Sequence, residues 1–320
     1  MPLDPTVVEK LHLLNGIASF DEAFADPEKS ARLMEFLGDV DEYVPPSVRH
    51  HDDVVNSAAG DFRVRVYEPD TEPRSVFVWV HGGGFTGGTI DMPEGDFFSR
   101  EICVRASAVV MSVDYAVAVN GVGYPTLHRQ VGAAFAWARS AAPTWNIAPD
   151  RVAMGGGSAG ANLVLGSVAE SVDAGAPLPS ELILAYPTAH RDLDVPEDIE
   201  KLTSSLPPLL RFTREAVSSM YDAYANGAAD VPYLAMDGRS LEGFPPMTVI
   251  VDEYDDLRAS GEALVVQAWR DGVRAALRLA SGMLHGHFNR NAAVPQVDDD
   301  LDFVADVLSS GARAGQSEAS

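Results

Sequence analysis

The chain has 320 residues, with 47 acidic against 23 basic side chains and a formal net charge of −24. Such a polyanion cannot neutralise phosphates, so sequence-independent binding to nucleic acid is excluded and docking on anionic membranes is disfavoured, and the acidity reads as a solubility feature. The length suits an α/β domain with an inserted cap, Cys103 as the single cysteine excludes an intramolecular disulfide, and the absence of a leader-like start or a bilayer-length apolar run predicts a cytoplasmic protein without membrane association.

Residues 1–43 are helical in pattern, with Leu and Met on one face, and are expected to form the first part of a helical cap. His50-His51-Asp52-Asp53 offers metal-ligand chemistry, but neighbours in extended chain point to opposite faces, so no metal is expected there. Residues 62–67 alternate apolar and polar side chains and read as an antiparallel strand with one wet face. The runs 76–80, 108–113, 152–154, 182–185, 248–251 and 276–279 are continuously apolar, the pattern of strands buried on both faces. Between them Leu127, Val131, Phe135 and Ala138 recur at helical spacing, residues 263–269 are helical in pattern, and Ile102-Cys103-Val104 reads as helix core. This alternation predicts an α/β fold with a doubly wound, mostly parallel sheet. Its core is assigned to 44–189 and 230–310. The second part of the cap is assigned to 190–229, with Leu206-Pro207-Pro208-Leu209-Leu210 and Met220-Tyr221 in its interior. Asp298-Asp299-Asp300 reads as the solvated start of a helix, and the Gly-, Ala- and Ser-rich segment 311–320 as a disordered tail.

Two turns in this frame carry chemistry. The run 76–80 empties into His81-Gly82-Gly83-Gly84-Phe85, whose consecutive glycines let backbone amides approach a ligand closely. No lysine accompanies them, so a phosphate cradle is disfavoured. The run 152–154 enters Gly156-Gly157-Ser158-Ala159-Gly160, a G-x-S-x-G pentapeptide between strand and helix, which is the pattern of a nucleophile elbow. Ser158 is therefore the candidate nucleophile, and the amides of Gly83, Gly84 and Ala159 are the candidate oxyanion donors. A serine nucleophile needs a base and a group that orients the base, in the chain order Ser, acid, His. The acid is sought after 247–251, where Asp252, Glu253, Asp255, Asp256 and Glu262 compete, and the base after 276–279, where His285 and His287 compete.

With these motifs the chain resembles the hormone-sensitive-lipase branch of the α/β-hydrolases, mostly carboxylesterases, from about Val54 through the His285 region. The resemblance implies Asp255 as the acid, through Asp255-Asp256-Leu257-Arg258-Ala259-Ser260-Gly261 against the pattern D-x-L-R-x-x-G. It implies His285 as the base, although His285-Gly286-His287-Phe288 has one residue more than the family's H-G-F. His287 is then expected to pack beside Phe288 or to line the pocket rim. Two departures stand out. Gly157 replaces the Asp that usually precedes the nucleophile, and Asp114-Tyr115 continues into Ala116-Val117-Ala118-Val119-Asn120 rather than the family's R-L-A-P-E, so carboxylates that brace the active-site loops are missing.

The leading expectation is a cofactor-free serine hydrolase that cleaves small to medium carboxylic esters through an acyl-enzyme on Ser158. An acyltransferase or an aryl-formamidase would use the same apparatus. A non-catalytic small-molecule binding protein of this fold is disfavoured by the presence of all three triad residue types. Homodimer formation is left open.

Overall fold

The structure, a computed structural model, describes residues 2–38, 43–192 and 194–317. Its centre is an eight-stranded sheet: β1 (Arg49–Val55), β2 (Phe62–Glu68), β3 (Ser75–Val80), β4 (Ala108–Asp114), β5 (Val152–Gly157), β6 (Leu182–Ala185), β7 (Met247–Tyr254) and β8 (Ala275–Leu284). The spatial order is β1-β2-β4-β3-β5-β6-β7-β8, with β2 antiparallel to both β1 and β4 and every later pairing parallel. The apolar runs of β3, β4, β5 and β6 are buried along their apolar lengths, as strands covered on both faces must be.

Edge position modifies the pattern at both ends of the sheet. β1 is almost wholly exposed and pairs only with β2. Its Asp52 is taken up by Arg63 and Arg65 of β2. The apolar run inside β8 is not buried on both faces as expected: with a neighbour on one side only, Leu277 is 43% and Leu279 is 38% exposed.

Helices α4 (Phe97–Ala106), α5 (Thr126–Ala141), α6 (Ala159–Ala174), α9 (Arg258–Arg270) and α10 (Pro295–Ser317) flank the sheet. Cys103 is buried in α4. Residues 159–169 of α6 are buried without a break, which places this helix at the centre of its layer. Helix α10 starts ahead of the three aspartates and runs on to Ser317, into the segment for which composition predicts disorder; its Ala, Arg and Gln are good helix formers. Residues 318–320 lie outside the described residues.

Two further helical segments lie beyond these five helices, and the second packs into the main core through Ile199, Val217, Tyr221 and Tyr224. The first holds α1 (Pro5–Lys10), α2 (Phe20–Ala25) and α3 (Pro27–Leu37), and the second α7 (Glu197–Thr203) and α8 (Arg214–Ala225). Val7, Leu14, Ile17, Leu33 and Phe36 of the first pack with Leu206 and Leu209 of the second and with Leu284 at the end of β8. Among the described residues, no helix is long and apolar enough to cross a membrane.

Candidate active site

Strand β5 passes through a sharp turn into α6, and Ser158 sits in that turn with φ 53° and ψ −119°, a conformation that L-residues rarely adopt. The turn is held by a hydrogen bond from Ser158 N to Ala185 O at 2.9 Å. It is also crowded. A Cβ on Gly160 would lie 2.2 Å from Val80 O and 2.4 Å from His81 O, so only glycine lets the start of α6 pack against the end of β3.

The loops after β7 and β8 bring Asp255 and His285 to the serine. His285 Nε2 lies 2.9 Å from Ser158 Oγ and His285 Nδ1 lies 2.7 Å from Asp255 Oδ2. With Nδ1–H donating to the carboxylate, Nε2 is left to accept the serine proton. The Leu257 amide donates to Asp255 Oδ1 at 2.9 Å and fixes the carboxylate further. Burial disfavours a charged His285, but Asp255 outweighs it, and the imidazole is more basic than usual. Tyr186 packs edge-on against the His285 ring with centroids 5.1 Å apart, and Phe212 packs on it at 4.4 Å.

The H-G-G-G loop faces the serine. Gly83 and Gly84 have φ of 121° and 59°. The Gly82 amide donates to Glu94, whereas among the described residues no group accepts from the amides of Gly83, Gly84 or Ala159. Met220 of α8 hangs over this loop, its Sδ 3.3 Å from where a Cβ on Gly84 would stand.

Each acid that competes in the sequence has its own partner. Glu253 accepts from Gly282 N, Asp256 binds Arg211, Glu262 pairs with Arg258, and Asp252 pairs with His287, leaving Asp255 for His285. His287 does pack on Phe288, with ring centroids 4.2 Å apart, but it is 2% exposed and does not reach a pocket rim. It lies between Asp252 Oδ1 at 2.6 Å and Asp300 Oδ2 at 3.2 Å. Burial opposes its charge, yet the two carboxylates push its pKa up to about 10, so it is an imidazolium at neutral pH. Asp300 is accordingly buried rather than solvated, because it also accepts from Arg278 and from Gln296. Asp252, Asp255 and His285 could converge on a metal ion, with ligand atoms within 4.8 Å of one another. Asp252 and the other two already face protein partners.

The family model described as the α/β hydrolase fold matches residues 77–289, which contain the H-G-G-G loop, Ser158, Asp255 and His285. The chain belongs to the α/β-hydrolase family. Among α/β-hydrolase relatives, carboxylesterase NlhH of Mycobacterium tuberculosis is 32% identical over 245 residues, 73% of this chain and 74% of that protein. Esterase LipI of the same species is 29% identical over 258 residues, 79% of each chain. A solved hyperthermophilic esterase from the archaeon Pyrobaculum calidifontis superposes with a TM-score of 0.80 at 24% identity, covering 97% of this chain and 99% of its own; at that identity it bears on the fold alone. The similarity to the named carboxylesterase agrees with the branch that the H-G-G-G and G-x-S-x-G motifs resemble.

Several groups at this α/β-hydrolase site carry no local sequence signal. Glu94, Tyr186 and Phe212 come from loops whose residues look unexceptional in the sequence. The one hint was Gly157, where a side chain was expected and none is present.

Proposed function

We propose that the protein is a carboxylesterase-type serine hydrolase in which Ser158 is the nucleophile, His285 the general base and acid, and Asp255 the group that orients and stabilises the imidazolium. The observation that carries this reading is the continuous hydrogen-bonded series Ser158, His285, Asp255, set on a strained turn opposite amides with no protein acceptor among the described residues. Ser158 Oγ attacks the ester carbonyl carbon as its proton passes to His285 Nε2. The carbonyl oxygen becomes an oxyanion held by the amides of Gly83, Gly84 and Ala159. His285 returns the proton to the departing alkoxide, which leaves as alcohol, and the acyl group remains on Ser158. Water, deprotonated by His285, then releases the acid and restores the serine.

The two helical segments form the cap in this reading. Phe212 and Met220 wall the acyl site, which favours esters of modest size. The names of NlhH and LipI support esters as substrates. Cytoplasmic residence belongs to the same proposal. The test is turnover of p-nitrophenyl esters of increasing chain length together with fluorophosphonate labelling. Ser158→Ala should lower kcat by at least roughly a thousandfold and abolish labelling. Labelling at another residue, or substantial turnover by the variant, would remove the reading, and acyl transfer to added alcohols in preference to water would redirect it to a transferase.

A further inference from the structure

The absence of a side chain before the nucleophile has a steric cause. A Cβ on Gly157 would stand 2.3 Å from Glu94 Oε1, 2.7 Å from Glu94 Cδ and 3.0 Å from Tyr186 Cε2. The room that a residue at 157 would take is thus filled by a carboxylate from the loop between β3 and α4. Glu94 is 1% exposed. Its Oε2 accepts the Gly82 N–H and its Oε1 accepts the Tyr186 hydroxyl. Its main chain is pinned as well, with Trp79 Nε1–H donating to Glu94 O at 2.8 Å and Glu94 N donating to Asn289 Oδ1 at 3.4 Å. A Cβ on Gly82 would lie 3.0 Å from Glu94 Oε2 and 3.1 Å from Ser158 Cβ, so the amide that Glu94 holds belongs to a residue packed directly on the nucleophile.

We propose that Glu94 is a positioning residue of the esterase site, its carboxylate doing from a separate loop what a carboxylate at position 157 would do from beside the nucleophile. It clamps the Gly82 amide and thereby aims the next two amides, of Gly83 and Gly84, at the substrate carbonyl. Three consecutive glycines have little conformational preference of their own, so an oxyanion loop built from them needs a clamp from outside to be preorganised. In its ionised form Glu94 also favours the His285 imidazolium that forms when Ser158 gives up its proton. Burial pushes the Glu94 carboxyl upward, and the donors Tyr186 and Gly82 work against that rise.

This inference rests on the serine-hydrolase reading, and the experiment separates the two. Glu94→Ala, Glu94→Gln, Gly157→Asp and the double variant Glu94→Ala/Gly157→Asp are compared by kcat and KM on one p-nitrophenyl ester, by fluorophosphonate labelling at Ser158 and by thermal melting. Loss of a preorganised oxyanion donor typically costs a hundredfold or more, so Glu94→Ala should lower kcat roughly a hundredfold with KM within about threefold. Glu94→Gln keeps an oxygen for Gly82 and should retain more activity than Glu94→Ala. Gly157→Asp alone should be impaired, because two carboxylates would compete for one space, and the double variant should regain at least about tenfold in kcat over Glu94→Ala. A kcat for Glu94→Ala within about threefold of wild type overturns the proposal, as does a folded double variant no faster than Glu94→Ala. Should Glu94→Ala fail to fold, a folded and active double variant supports the proposal and an unfolded or inactive one overturns it. A wild-type protein not labelled at Ser158 overturns the hydrolase reading itself.

Discussion

Asp256 ties the segment that precedes α8 to the end of β7, and replacing it with Asn should release that segment. Asp256 is 1% exposed and accepts from Thr203 Oγ1 at 2.6 Å, Arg211 Nε at 2.8 Å, Arg211 Nη2 at 3.1 Å and Phe212 N at 2.8 Å. Asn offers one oxygen and one NH2 group, so in either orientation part of the Arg211 guanidinium meets a donor. Breaking a fully buried ion pair costs about 3–5 kcal/mol. The Arg211 side chain is 20% exposed and regains some water, which reduces the expected loss to about 2–4 kcal/mol. At roughly 2 °C per kcal/mol for a chain of this size, Tm should fall by about 4–8 °C. Phe212 would lose its amide anchor and its place 4.4 Å from the His285 ring. KM should therefore rise several-fold with a smaller change in kcat, since the bonds linking Ser158, His285 and Asp255 do not run through Asp256. The assay is a melt at neutral pH with steady-state kinetics, repeated for Arg211→Ala and for the double variant. A coupling energy below about 0.5 kcal/mol in that cycle, or a wild-type melt and KM for Asp256→Asn, would refute the reasoning.

The two neighbouring histidines should differ in what they cost: His285→Ala removes nearly all ester turnover, whereas His287→Ala strands Asp252 and Asp300 and lowers stability by about 3–5 kcal/mol. The His287 pKa lies above its ordinary value, so its contribution to stability is full below about pH 6.5 and is lost as pH rises toward 10; melts of wild type and His287→Ala should converge over that range, and a constant gap would contradict the assignment. The raised His285 pKa means that the neutral base is lost, and kcat/KM falls, as pH drops through a value above the ordinary 6.5 or so. Asp255→Asn should move that acid limb to lower pH while lowering kcat by roughly 10⁴, and an unmoved limb would assign it to another group. Deleting residues 1–40 should expose Leu206, Leu209 and Leu284 and change relative kcat/KM across an ester series while Ser158 still reacts with a fluorophosphonate; an unchanged profile would place the N-terminal helices away from substrate.

What the sequence made legible was local in character. Continuous apolar runs marked β3 to β7 because parallel strands are buried on both faces, and Gly156 to Gly160 marked a tight turn because its crowding leaves only glycine at 160. The choice of Asp255 among five acids rested on a resemblance, since adjacent carboxylates differ by their partners and those partners lie on other elements. The structure brings Asp255 to His285 and sends Asp256 to Arg211, a distinction invisible in Asp255-Asp256 itself. His287 reads as a neighbour of Phe288 or of the pocket rim, and its carboxylate partner Asp300 on α10 is disclosed only by the fold. The exposed stretch of β8 was missed because periodicity reports apolarity and not whether a strand stands at the sheet's edge.

The unbroken burial of residues 159–169 in α6 has a consequence for how the molecule opens. Amides there exchange with solvent only through unfolding of the whole sheet layer, so their protection should equal the global free energy. The six-residue helices α1 and α2 are too short to hold without tertiary contacts, and Phe24 of α2 is 60% exposed. These helices open at far lower energy. On warming, the apolar wall they form with Leu206 and Leu209 should come apart first, and under the cap reading proposed above substrate discrimination should fade while Ser158 still reacts with a small phosphonate that needs no wall.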